Sequence, residues 1–296
     1  MKRIVIGLAL LAVAGGALAW VLSAARPLPA DAFAGLTGDA ARGEHVFTAA
    51  GCASCHTAPG ASGEARLVLA GGQRFASPFG TFLAPNISSD PTHGIGGWSV
   101  ADLGNALLRG VSPEGAHYYP AFPYGSYTRM EAQDVADLHA WLATLPADAT
   151  PSLPHEIGFP FSIRRAVAGW KWLYLDADWV VAGNLTPEET RGRYLAEALG
   201  HCGECHTPRN ALGGPDTARW LAGAPNPAGE GRIPGITPGQ LDWSAEEIAS
   251  YLETGFTPDY DSVGGHMAAV VENFAKLPPE DRAAVAAYLK RVPPAP

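Results

Sequence analysis

Apolar residues fall into helical spacing at only a few well-marked places along this chain. The first is an unbroken apolar run from Ile4 to Leu22, preceded by Lys2 and Arg3. A helix is expected from about Asp39 to Ala50, stopped by Gly51, since glycine commonly follows a last helical turn. Ser99 begins another as N-cap with Asp102 at the third position, and that helix ends at Arg109 before Gly110. Thr128-Arg129-Met130-Glu131 has the capping-box spacing and predicts a helix through Trp141 to Thr144, closed by Pro146. Thr186-Pro187-Glu188-Glu189 combines a Thr cap, a first-turn proline and a third-position Glu, and predicts a helix to Leu199. Ser244-Ala245-Glu246-Glu247 opens one ending near Gly255. Pro279 to Arg291 is the last, with Val285, Tyr288 and Leu289 on its apolar side. No helical period runs from His56 to Gly97, a stretch rich in Gly, Pro and Ser. A loop of that length in a compact domain implies a functional role, such as wrapping a cofactor.

These elements occur twice in the same order. Arg42-Gly43 matches Arg191-Gly192, Leu69-Ala70-Gly71 matches Leu221-Ala222-Gly223, Trp98-Ser99 matches Trp243-Ser244, and Trp141-Leu142 matches Tyr288-Leu289. A repeat this long means duplicated domains rather than a solenoid. The expected fold class is all-α, with two tandem domains at residues 34–150 and 183–296. Residues 151–182 form a linker carrying Phe159, Phe161, Trp170, Trp172 and Trp179, expected to pack in the groove between the domains. The sharper alternative is that some of these aromatics dock a partner or lie at a membrane interface.

The chemistry sits at two pentapeptides, Cys52-Ala53-Ser54-Cys55-His56 and Cys202-Gly203-Glu204-Cys205-His206, which hold all 4 cysteines. C-x-x-C-H is the attachment pattern for c-type haem. The two thiols form thioethers to one porphyrin edge, and the adjacent histidine lies under the iron as proximal ligand. A redox dithiol or a zinc site uses C-x-x-C without needing that histidine. Two covalently attached haems are therefore expected. Of the 3 methionines, Met130 and Met267 are the two beyond Met1, one in each half after its motif. Their similar placement makes them the candidate sixth ligands, so His56, Met130, His206 and Met267 are the expected iron ligands. His93 and His117 rival Met130, and His266 rivals Met267. His139 and His155 read as structural; His45 and His201 are also available, although His201 directly precedes Cys202. Methionine–histidine ligation closes the coordination sphere and suits one-electron transfer. The competing reading is a dihaem enzyme with one open haem, a peroxidase or an oxidase of sulfur compounds.

Length and charge narrow the setting. At 296 residues the chain suits two domains, and a net charge of −9 leaves no basic face for nucleic acid. The acidic surface suits steering of a basic partner, or solubility alone. The basic start and apolar run in residues 1–27 read as a secretion signal or an uncleaved anchor. Either places the bulk of the chain on the periplasmic side of a bacterial inner membrane, where haem attachment occurs.

Three further stretches carry a resemblance. They are Ala84-Pro85-Asn86-Ile87-Ser88-Ser89-Asp90, Gly94-Ile95-Gly96-Gly97-Trp98-Ser99 and Tyr119-Pro120-Ala121-Phe122-Pro123-Tyr124. With Gly265-His266-Met267-Ala268 and Phe159-Pro160-Phe161, they resemble the cytochrome c subunit of membrane-bound alcohol, gluconate and aldehyde dehydrogenases. The resemblance covers nearly all of the chain after residue 27. It implies two cytochrome c domains, a periplasmic dehydrogenase as electron donor, and a quinone or terminal oxidase downstream. Relatives of the alcohol and gluconate type carry three haems, against two motifs here, so quinone reduction by this subunit is doubtful and a shorter dihaem relative is the better match. A methionine often occupies the position of Phe122 in those relatives, and its replacement moves the ligand assignment to Met130. Tyr119, Tyr127, Arg74 and Trp98 are candidates to hold the propionates, each as readily explained by packing.

Overall fold

The computed structural model describes residues 2–227, 229 and 231–295. Helix α1, Lys2–Leu22, has no buried residue and meets the globular part at its C-terminal end. It is long and apolar enough to cross a membrane, with mean hydropathy 2.4.

Each repeat is built on a close crossing of its first and last helices. In the first, α2 (Ala40–Ala49) is capped by Asp39, whose carboxylate accepts from the Ala41 and Arg42 amides. The cysteine motif follows as α3 (Cys52–His56), then strands β1 (Arg74–Ser77) and β2 (Gly80–Leu83), and α4 (Val100–Arg109). Helix α5 (Tyr124–Tyr127) leads into α6 (Ala132–Leu142), which lies across α2. Gly43 makes that crossing possible, because a Cβ there would stand 2.0 Å from the Asp137 carbonyl oxygen. Arg42 Nε closes the crossing on the buried Asp137 carboxylate at 2.8 Å.

A connector with strand β3 (Glu156–Ile157) and helix α7 (Val167–Tyr174) follows. The second repeat then comprises α8 (Pro187–Arg193), continued by a π-type turn at Tyr194–Leu199, and α9 (Gly203–His206). Strands β4 (Ala224–Pro225) and β5 (Arg232–Ile233), and helices α10 (Ala245–Thr254), α11 (Met267–Phe274) and α12 (Pro279–Arg291), complete it. Gly192 repeats the role of Gly43, with an added Cβ 1.8 Å from the Ala284 carbonyl oxygen. The sheets are small: β1, β2 and β3 are antiparallel neighbours, and β4 pairs with β5.

Three capping boxes form as expected, at Ser99/Asp102, Thr186/Glu189 and Ser244/Glu247. The fourth does not. Thr128 ends α5, and α6 begins only at Ala132 with no side-chain cap from Glu131. The Glu131 amide instead donates to the Tyr194 hydroxyl at 3.1 Å, a contact from the other repeat. The connector also differs from the expected buried linker. Trp170 packs on Tyr124 and Tyr174, and Trp179 on Tyr194. Phe159 is 84% exposed and Trp172 62%, so these two are surface residues rather than groove filling.

The repeats are joined by polar contacts with little exposure. The Asp281 carboxylate, 6% exposed, takes Arg191 from its own repeat at 2.8 Å and His45 from the first at 2.8 Å. Burial opposes its charge, yet His45 and Arg191 outweigh that and hold its pKa down to about 2. A carboxyl whose folded pKa is depressed stabilises the fold above its unfolded value of about 3.9 and loses that effect as pH falls through the folded value. Asp281→Asn is therefore expected to cost about 2 kcal/mol at pH 7, as hydrogen bonds to a charged group do. Denaturant unfolding should show the gap to the unsubstituted chain shrinking from about pH 4 towards pH 2. An equal gap at pH 7 and pH 2 would contradict this account.

Candidate functional site

Both motifs start from a left-handed residue, Gly51 at φ 65° and His201 at φ 40°. That turn sends the chain sharply from the preceding helix into α3 or α9. The histidine at the end of each short helix is then tied down the same way. His56 Nδ1 lies 2.9 Å from the Pro85 carbonyl oxygen, and His206 Nδ1 lies 2.8 Å from that of Pro234. A carbonyl only accepts, so Nδ1 carries the proton in both rings and the lone pair is left on Nε2. Burial lowers the pKa of both rings, with the carbonyl bond opposing it, which favours the neutral form a metal requires. The main chain repeats this scaffold. The Gly71 and Gly223 amides donate to the His56 and His206 carbonyls, each at 2.7 Å. Leu69 and Leu221, fully buried, both adopt φ 57°. The Ile87 and Ile236 amides reach back to their carbonyls at 3.0 and 2.9 Å.

The thiols argue against the two rival chemistries. Burial first, and then the neighbouring thiol of the same motif, pushes Cys52 and Cys202 up to about 12. A reactive dithiol needs the opposite shift. Among the described residues no three or more His, Cys, Asp or Glu side chains are grouped as a metal ion would require. A paired thiol set beside a neutral imidazole with Nε2 free is the donor set that haem c requires, and both motifs supply it.

A model of the family described as cytochrome c matches residues 40–146 and 190–293. The chain belongs to the cytochrome c family. It is 62% identical over 294 residues to a diheme cytochrome c-type protein of Cereibacter sphaeroides, covering 99% of this chain and 98% of that one. It is 38% identical over 260 residues to the fructose dehydrogenase cytochrome subunit of Gluconobacter japonicus, covering 85% of this chain and 52% of the relative. It is 33% identical over 298 residues to the alcohol dehydrogenase (quinone) cytochrome c subunit of Gluconobacter oxydans, covering 94% and 61%. The chain thus spans little more than half of the dehydrogenase subunits it resembles. It is a cytochrome c with two C-x-x-C-H motifs, homologous to cytochrome subunits of dehydrogenase complexes.

Each motif is held across the boundary by a residue of the other repeat. The second residue between the cysteines makes the contact each time. Ser54 Oγ accepts from Asn273 Nδ2 at 2.9 Å, and Glu204 Oε1 accepts from the Ser126 hydroxyl at 3.0 Å. Cys205 is near enough for its charge, after burial, to help raise the Cys55 thiol to about 11. These contacts left no local signal in the sequence, because each partner lies far along the chain.

The methionines are placed differently from one another. Met267 opens α11 and is half-buried. Met130 is 6% exposed in the core, and its amide donates to the Tyr127 carbonyl at 2.8 Å. Leu277 does the same in the second repeat, 4% exposed with its amide on Phe274. Met130 is therefore the counterpart of Leu277, which corrects the expectation that the two methionines occupy similar places.

The candidate propionate residues have partners of their own: Arg74 pairs with Glu156 at 2.5 Å, Tyr119 packs on Phe82 and His155, the Tyr127 hydroxyl donates to the Ala50 carbonyl at 3.2 Å, and the Trp98 carbonyl accepts from His139. The other histidines are distributed around the fold. His139 Nε2 donates to the Trp98 carbonyl at 2.8 Å, His117 Nε2 to that of Ser23 at 3.0 Å, and His155 Nδ1 accepts from the Leu83 amide at 3.1 Å. His201 packs on Tyr127 and hydrogen-bonds the Ala50 carbonyl. His266 stands at the N-cap of α11, and His93 lies on the Asp90 turn.

Gly203 offers a direct test of the second site. A Cβ there would lie 2.0 Å from the Trp220 ring, whose Nε1 donates to the Tyr288 hydroxyl at 3.0 Å. Gly203→Ala is expected to cost about 1–3 kcal/mol through overpacking. It should also lower haem incorporation to nearer one per chain, counted by the pyridine haemochrome. Alanine already occupies the same place in the first motif, as Ala53, so unchanged stability and haem content would refute the role given to Trp220.

Proposed function

We propose that this chain carries two covalent haems and relays single electrons from a periplasmic dehydrogenase towards the respiratory chain. Cys52, Cys55 and His56 hold the first, and Cys202, Cys205 and His206 the second. Met267 is the sixth ligand at the second. The observation that carries the reading is that each cysteine motif is bonded to the other repeat, Ser54 to Asn273 and Glu204 to Ser126. The iron of each haem supplies a one-electron couple. The protein's part is to fix two such couples side by side, to bury the ligating imidazoles and to keep each in one tautomer. On this reading the cytochrome domains are residues 34–150 and 183–296, joined by the connector at 151–182.

The relatives' names span fructose, alcohol, gluconate and nicotinate dehydrogenases. They favour a donor that oxidises a small organic substrate without choosing among them, and an onward acceptor that is a quinone or a terminal oxidase. Residues 1–27 act as an uncleaved anchor in the inner membrane. The end of α1 is held by the globular part: Arg165 stacks 3.6 Å over the Trp20 ring and donates to the Trp20 carbonyl, and His117 donates to Ser23. A cleaved signal would have no use for such docking. Exposed Phe159, Phe161, Trp172 and Leu173 on the connector suit a lipid interface.

Two experiments test this. The double variant Cys52→Ala/Cys55→Ala should retain one haem and lose rapid reduction of the acceptor when the partner dehydrogenase and its substrate are supplied in stopped flow. Full activity with one haem would refute the relay. Membrane fractions should keep the chain through a high-salt wash, while a variant lacking residues 1–27 but secreted by a cleavable signal is released. Release of the full chain by salt would refute the anchor.

A further inference from the structure

The register between the repeats can be followed residue by residue through the segments that follow α4 and α10. Val111 bridges His117, and the Tyr118 amide donates to the Gly110 carbonyl at 2.7 Å. Phe256 bridges Ser262, and the Val263 amide donates to the Gly255 carbonyl at 2.7 Å. Tyr118 and Val263 are thus counterparts. Counting on from them along both chains pairs Phe122 with Met267. Beyond this point the second repeat carries Ala268 and Ala269 as extra residues. The register then resumes with Ser126 opposite Asn273, whose carbonyls accept from Arg129 and Lys276, each at 3.1 Å. It reaches Met130 opposite Leu277.

The residue at the methionine's place in the first repeat is therefore a phenylalanine. Its ring is fixed edge-on by Tyr118, Tyr124 and Tyr127, at centroid distances of 5.8, 6.3 and 5.8 Å. A phenyl ring has no donor atom for iron. The methionine this repeat does possess fills a core place where the other repeat uses leucine. The His117 imidazole and the Tyr119 ring are engaged elsewhere. His117 Nε2 is on the Ser23 carbonyl, and Tyr119 packs on Phe82 and His155 beneath Arg164.

We propose that this chain supplies no sulfur ligand to the haem held by Cys52, Cys55 and His56. Phe122 instead leaves the side opposite His56 open to a small neutral diatomic ligand of the carbon monoxide or nitric oxide class. The inference rests on the dihaem reading above, with Met267 closing the second site. One site is thus built for electron transfer alone and the other for electron transfer with ligand access.

The test uses the full-length holoprotein with two haems by pyridine haemochrome, reduced and titrated with carbon monoxide. Half of the haem is expected to bind it, and the sulfur-to-iron charge-transfer band of the oxidised protein should correspond to one haem. Met130→Leu places in the first repeat the residue the second already carries. It should leave both readings unchanged. Phe122→Met should double the band and abolish carbon monoxide binding. Met267→Ala should remove the band and open the second haem. If Met267→Ala leaves the band in place, the ligand assignment at the second haem fails on its own account. The proposal is overturned if neither haem of the unsubstituted protein binds carbon monoxide, or if Met130→Leu removes a methionine signal.

Discussion

The hydrogen bond from a histidine Nδ1 to a proline carbonyl is the constraint on which the rest of each unit depends. It decides which nitrogen carries the lone pair, and so which way the ring can serve a metal. It joins a residue at the end of a short helix to one 29 or 28 residues further along, at Pro85 or Pro234. For that carbonyl to arrive, the intervening loop must double back. The left-handed Leu69 and Leu221 and the amide bonds of Gly71 and Gly223 are how it does so. Gly71 and Gly223 have φ of 76° and 83°, conformations that cost a side-chain-bearing residue but not glycine. The long, glycine-rich loops, each with a short antiparallel pair of strands, therefore close on this bond.

Much of this was legible because it is local. The cysteine and histidine spacing is a property of five consecutive residues. The caps at Ser99, Thr186 and Ser244 are side-chain bonds to backbone amides three positions away, so their signal lies within four residues. The paired glycines Gly43 and Gly192 were visible as a repeat, although their reason, an approach to a carbonyl on the closing helix, was not. The helices that went unread, α3, α5, α7, α9 and α11, are the short ones. A four- to eight-residue segment spans at most about two turns, too few to display a period. The box at Thr128 failed because tertiary contact with Tyr194 took the Glu131 amide. Met130 and Met267 looked alike because unequal loops hide register, and only the main-chain bridges restored it.

A duplicated domain begins with two copies of everything. What remains identical here is the proximal apparatus: the motif, the left-handed residue before it, the carbonyl that holds the ring and the crossing glycine. What has drifted is the opposite side of the site and the seam between the units. Drift is tolerated where a residue meets only its own copy's interior. It becomes directional where it meets the other copy, since each change there alters one partner of a pair.

That seam has made the two halves non-interchangeable. The place occupied by Ser54 in one half is Glu204 in the other, and the places of Ser126 and Asn273 also correspond. A chain made of the first half twice would set serine against serine at both contacts. A chain made of the second half twice would set glutamate against asparagine at both. Neither reproduces the pairing found here, in which the serine motif meets an amide and the glutamate motif meets a hydroxyl. The ancestral symmetry has become a lock with a distinct key on each side. The duplication can no longer be undone or extended by simply copying a unit, and a third unit would need a seam of its own.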